Sequence, residues 1–232
     1  MTRAKVKLSS LLVAGVAATT LLSGCGTHPG SAAVVGGERI TNTEVEDAAA
    51  ALCSSTVSAA EAQGQPRPDL ASRDARSAAI QLLLDNELSR QFGEAKGIKV
   101  DNRAVTQAMQ QSAQQINLLP KPERADFRAL FRGFQESQSI LEQAATASLA
   151  DQGKTNPTPE EISAEGTRLR NQWAAEEGLE VDVDPRFGEY ANGSITPKNG
   201  SISIAASDRA RQGASQDPGE AWTAGLPLSQ KC

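Results

Sequence analysis

Cys25 ends the run Leu22-Ser23-Gly24-Cys25, and a thiol placed directly behind two small residues is an accessible acyl acceptor. Few other side chains offer comparable chemistry. The chain has three cysteines and one histidine, His28, so a Cys/His nucleophile pair would have to borrow a histidine from the segment just after Cys25. Gly153-Lys154-Thr155 imitates the end of a phosphate-binding loop, but Ser148 stands where that loop needs glycine. Pro157 would also break the helix that holds the phosphate. Asp182 and Asp184 supply fewer oxygens than a hard cation needs, and their alternation with Val181 and Val183 reads as the outer face of a strand. A Gly-x-Ser-x-Gly run is absent from the sequence. These residues predict a chain with no catalytic cluster, cofactor or metal, and therefore not an enzyme.

The segment before Cys25 explains the thiol. Arg3, Lys5 and Lys7 form a basic start, and Leu11 to Leu22 form an apolar stretch. That stretch is shorter than the roughly 20 residues that span a bilayer and has the length of a secretory core. In this position Leu22-Ser23-Gly24-Cys25 resembles the lipobox of bacterial lipoproteins. The resemblance implies a signal peptide over 1–24, cleavage before Cys25, and lipid on its sulfur. The chain would then sit on the extracytoplasmic face of the cell membrane, with 25–33 as a flexible tether. Loss of 1–24 removes three cations and no carboxylate, which takes the formal charge from −5 to −8. An acidic chain lacks the clustered cations that phosphate backbones require, which excludes nucleic acid as a partner. It also leaves lipid, rather than charge, as the membrane anchor. Cys53 and Cys232 remain, either bridged in an oxidising compartment or as two free thiols.

Aromatic residues make up 3% of the chain, so a core must be built from Ala, Leu, Ile and Val, which favours helices. The expected fold is mainly α, with a short β-like C-terminal segment and a flexible tail. Val34 to Ile40 reads as an extended segment broken by Gly36-Gly37, and Thr41 with Glu44 forms a capping box for a helix to about Gln63. A second helix, from about Asp69 to Lys96, carries the stripe Ile80, Leu84, Leu88, Phe92 and ends at Gly97. Asp101 caps a third, which reaches Leu118 and Leu119 before Pro120. A fourth spans about Pro122 to Ala150, and a fifth opens with Thr158-Pro159-Glu160-Glu161 and ends before Gly178. Residues 34–178 form the helical domain in this reading. Leu179 to Asp184 alternates as a strand within a β-like segment, 179–205, with Ile202 and Ile204 as the return strand. Residues 206–232 read as a tail, poorly ordered unless Cys232 ties it down.

The order of these signals resembles the N-terminal chaperone domain of the SurA family of exported foldases. Val35-Gly36-Gly37-Glu38-Arg39-Ile40-Thr41 with Glu44 is similar to that domain's opening. Leu82 through Glu87-Leu88 to Ala95-Lys96-Gly97-Ile98-Lys99-Val100, then Val105, resembles its second helix and exit turn. Thr158-Pro159-Glu160-Glu161-Ile162 resembles the junction that precedes the family's parvulin isomerase domain. The resemblance covers about 34–175. The sequence departs from the pattern after the junction. Only 54 residues follow Gly178, against the roughly ninety that a small isomerase domain needs, and the histidines of a parvulin site are missing. The isomerase domain is expected to be absent.

What the resemblance implies is binding of unfolded or exported polypeptides without catalysis. The candidate surface is Met109, Leu118, Leu119, Phe127, Phe131 and Phe134, although an aromatic stripe at helical spacing is also what a core face looks like. An adaptor lipoprotein docking one envelope partner is the alternative, with an isomerase-related foldase behind it.

Overall fold

The computed structural model describes residues 30–196, 206–215 and 218–232. Its architecture is mainly α. A hairpin of β1 (Ser31–Val35) and β2 (Glu38–Thr41) opens the fold. Gly36 and Gly37 make its two-residue turn at φ +56° and +92°, values that the tight hairpin demands and side chains resist. The hairpin leads into α1 (Asn42–Ala62), and the capping box is formed: Thr41 Oγ1 accepts from the Glu44 N–H, and Glu44 Oε2 accepts from the Thr41 N–H at 2.7 Å. Next come α2 (Ser72–Lys96), α3 (Asn102–Gln111), α4 (Ala113–Leu118), a 3-10 turn, α5 (Arg124–Asp151) and α6 (Pro159–Glu176).

One core lies between the hairpin, α1 and α2, with Leu130 of α5 closing it. The α2 stripe supplies Ile80, Leu84 and Leu88, all fully buried, each contributing about 1.5–3 kcal/mol from burial. The other core joins α2, α5 and α6 through Phe92, Ile140, Leu141 and Trp173, the Phe92 and Trp173 rings being 5.7 Å apart. Glycines let these helices approach. A Cβ at Gly166 of α6 would lie 2.8 Å from the Leu141 carbonyl oxygen, and one at Gly93 of α2 would lie 2.9 Å from Ile140 Cδ1. Arg170 ties α6 to α2: it is 3% exposed, and its Nη1 lies 2.9 Å from Asp85 Oδ1. That contact is an ion pair by distance, although Asp85 Oδ1 makes no well-angled hydrogen bond.

Three features differ from the sequence reading. The tether expected over 25–33 gives way to β1 at Ser31, and Ala32 and Ala33 are buried. The third helix is interrupted at Ser112, and the second piece, α4, packs on α1 with Ile116 and Leu119 buried. The strand after Gly178, β3 (Val181–Val183), pairs antiparallel with β1 and so belongs to the main sheet, of order β2-β1-β3. Ile202 and Ile204 lie outside the described residues. A separate hairpin, β4 (Glu189–Ala191) and β5 (Ser194–Thr196), turns at Asn192-Gly193.

The tail carries α7 (Asp208–Gly213) and α8 (Glu220–Ala224). It is held to α1 by a Cys53–Cys232 disulfide, to Ala71 by a bridge at Lys231, and to Asp69 by the Lys231 ammonium. Arg73 stacks 4.7 Å over the Trp222 ring and donates to the Gly213 carbonyl. The stretch expected to lack order is thus fastened by the cysteine that the expectation made its condition. Among the described residues, no helix is long and apolar enough to cross a membrane.

Candidate functional site

Helix α5 positions two surfaces on different faces. Its apolar stripe runs Phe127, Phe131, Phe134, then Leu141, Ala145 and Leu149, residues spaced so that all project from one side. From Leu141 onward this stripe is buried, where α6 packs along α5. The earlier half differs. Phe127, Phe131 and Phe134 are only partly buried, and neither core includes them. They stack on one another, with centroids 6.1 and 6.4 Å apart.

The other expected binding residues divide. Met109 is partly buried near the end of α3, and Leu118 is 53% exposed on α4. Leu119 is a correction: it is 2% exposed. The residue is the extended C-cap of α4, where the helical period no longer decides which way a side chain faces, and Arg124 Nε donates to its carbonyl at 2.8 Å. Leu119 is core and cannot touch a partner. Cys25 lies outside the described residues.

The second surface went unnoticed in the sequence. Between β2, α1, α2 and α5 lies a groove of about 410 Å³. Its floor is apolar, with Ile40, Ala48, Leu83, Leu130 and Ile140. Its rim is acidic, with Glu38, Glu44, Asp47, Glu87, Asp126 and Glu136 against two cations, Arg39 and Arg90. Both guanidiniums are engaged already. Arg90 bonds Glu87 at 2.5 Å and Glu94 at 2.6 Å, contacts that raise its pKa, and Arg39 Nε donates to Ser31 Oγ at 2.7 Å. The available signal was a small-residue line on α5, Ala129-x-x-x-Gly133-x-x-x-Ser137, facing the groove. Small side chains there leave the space that the groove occupies.

The residues excluded as chemistry have structural work. Lys154 pairs with Glu161 across the α5–α6 turn. Asp184 accepts from Arg186, and that guanidinium lowers its pKa. Trp222 Nε1 donates to the Arg209 carbonyl at 3.0 Å. Among the described residues, no group of three or more metal-ligating side chains is gathered.

The fold and these surfaces define a hairpin-led helical domain with a partly exposed aromatic stripe and, on another face of α5, an acidic groove. Residues 3–121, just over half of the chain, match the family model described as SurA-like N-terminal domain, and the chain belongs to that family. The family is chaperone-like or associated with prolyl isomerases, and the match is to its N-terminal domain, not to a parvulin catalytic domain. No curated protein and no solved structure matches the chain.

Proposed function

We propose that this protein is a lipid-anchored, extracytoplasmic, chaperone-like protein that holds non-native polypeptides without catalysing their folding. The observation that carries the reading is the half of the α5 stripe that stays partly exposed. Three stacked phenylalanines stay partly exposed on the face that, two turns later, is sealed by α6. Apolar area that a folded domain leaves partly exposed marks an interaction surface, and family membership supports polypeptide as the partner. Ordering a flexible client opposes binding, so single-client affinity is weak, on the order of micromolar. The anchor rests on Cys25 and the apolar segment before it.

Purified protein should suppress aggregation of an unfolded exported protein at near-stoichiometric ratios, without accelerating prolyl isomerisation. Phe131→Ser should weaken suppression while the melting temperature stays near the parent's. A large loss of melting temperature with unchanged suppression would assign the ring to the core and reject the stripe as the site. Cys25→Ser should leave unprocessed precursor and no lipid. Normal processing and unchanged membrane fractionation of that variant would reject the anchor.

A further inference from the structure

We infer that the groove between β2, α1, α2 and α5 takes a polypeptide segment in which lysine or arginine alternates with apolar residues. This rests on the proposed polypeptide-binding role and names a class of client. The six rim carboxylates come from four elements: Glu38 from β2, Glu44 and Asp47 from α1, Glu87 from α2, and Asp126 and Glu136 from α5. Their convergence on one concavity is a tertiary event, unlike a charged helix face. Glu38, Asp47 and Asp126 are exposed and have no ion pair among the described residues. Of the two rim guanidiniums, Arg90 is held by Glu87 of the rim and by Glu94, and Arg39 Nε donates to Ser31, so the uncompensated charge lies on Glu38, Asp47 and Asp126. Carboxylates ringing an apolar floor focus negative potential into the concavity. An extended segment presents successive side chains to opposite directions, so apolar residues can reach the floor while cationic ones lean to the rim. A neutral aromatic segment gains nothing from this rim and belongs on the Phe127–Phe131–Phe134 stripe, on another face of α5.

The test uses two labelled peptides, one alternating Lys and Leu and one neutral and rich in Phe, followed by fluorescence anisotropy against the full chain at low and high salt. The Lys/Leu peptide should bind and lose affinity steeply with salt, whereas the Phe peptide should be nearly insensitive. The double variant Asp47→Lys/Asp126→Lys turns two attractions into repulsions. It should weaken the Lys/Leu peptide by on the order of tenfold and leave the Phe peptide unchanged. Phe131→Ser should do the reverse. Both sites of the double variant are exposed, and an unchanged melting temperature would show that it is folded; if it fails to fold, Glu38→Lys alone serves with the same readout. Phe-peptide binding without Lys/Leu binding would overturn the groove assignment and leave the chaperone-like reading standing. Lys/Leu binding indifferent to salt and to charge reversal would also overturn it. Binding of neither peptide would reject both.

Discussion

Two helix-interior glycines should respond to the same substitution with opposite signs. Replacing glycine by alanine inside a helix gains about 1 kcal/mol from backbone entropy. At Gly166 the new methyl would lie 2.8 Å from the Leu141 carbonyl oxygen and 2.9 Å from Leu141 Cβ, closer than carbon atoms pack. Both neighbours belong to or adjoin the α5 backbone, so neither can rotate away, and α6 must lift off α5. Overpacking of this kind costs about 1–3 kcal/mol, and the rigid neighbour places Gly166→Ala in the upper part of that range. The net is a destabilisation of about 1–2 kcal/mol, a fall of roughly 3–6 °C in melting temperature for a chain of this size. At Gly133 the methyl meets the Asn86 Nδ2 at 2.9 Å, the far end of a side chain that can swing aside. Gly133→Ala should therefore keep most of the propensity gain and melt roughly 1–4 °C higher. Calorimetry and urea unfolding of both variants measure the contrast. A stabilised Gly166→Ala, or equal shifts in one direction, would refute the claim that α6 is seated on α5 through that glycine.

Other consequences are separately measurable. The Glu165 carboxyl is pulled down from about 4.5 to about 2, chiefly by hydrogen bonds from Arg168 and then from Ser148. A folded-state pKa below the unfolded value gives stability that is present above about pH 4.5 and lost as pH falls through about 2. Glu165→Gln should flatten melting temperature against pH in that window, and an unchanged slope would contradict the assignment. Cys232→Ser removes a cross-link spanning a sequence separation of 179, for which chain entropy allows at most about 5 kcal/mol. The variant should melt lower and be cut by protease within 206–232; equal protease resistance would show that Arg73, Asp69 and Ala71 hold the tail unaided. Leu119→Ser should lose roughly 2–5 kcal/mol in urea unfolding, as buried leucine truncations do, while Leu118→Ser should be nearly neutral.

What the sequence carried locally was legible. The Thr41/Glu44 and Thr158/Glu161 boxes each need only four consecutive residues, and both form. The Ile80, Leu84, Leu88, Phe92 stripe needs only one helix's own period, and all four are buried. Features decided between elements were not legible. Nothing near Ser112 breaks a helix on its own, and the interruption there coincides with a change of partner, α3 packing on α5 and α4 on α1, where Ile116 and Leu119 are buried. Leu118 and Leu119 are neighbours with opposite fates for the same reason. Val181 and Val183 announced a strand, but the choice of β1 as partner depended on where α6 delivered the chain. The acidic groove was hidden because its rim comes from four elements. On any one of them the carboxylates look like ordinary solvated charge.

Strand β1 lies in the middle of its sheet, and its outer neighbour comes from far along the chain: Ala33 faces Val183 across 150 positions. Until that neighbour arrives, β1 offers an unpaired edge of amides and carbonyls to any extended chain nearby. Such non-local closure slows folding, because the entropy of a long loop must be met before the contacts reward it. The hairpin is thus made early and finished late. As the polypeptide emerges from its N-terminus, everything from Ser31 to Val183 has to be present before the sheet can close, and a nascent chain stopped short of β3 would itself be a sticky, incomplete species.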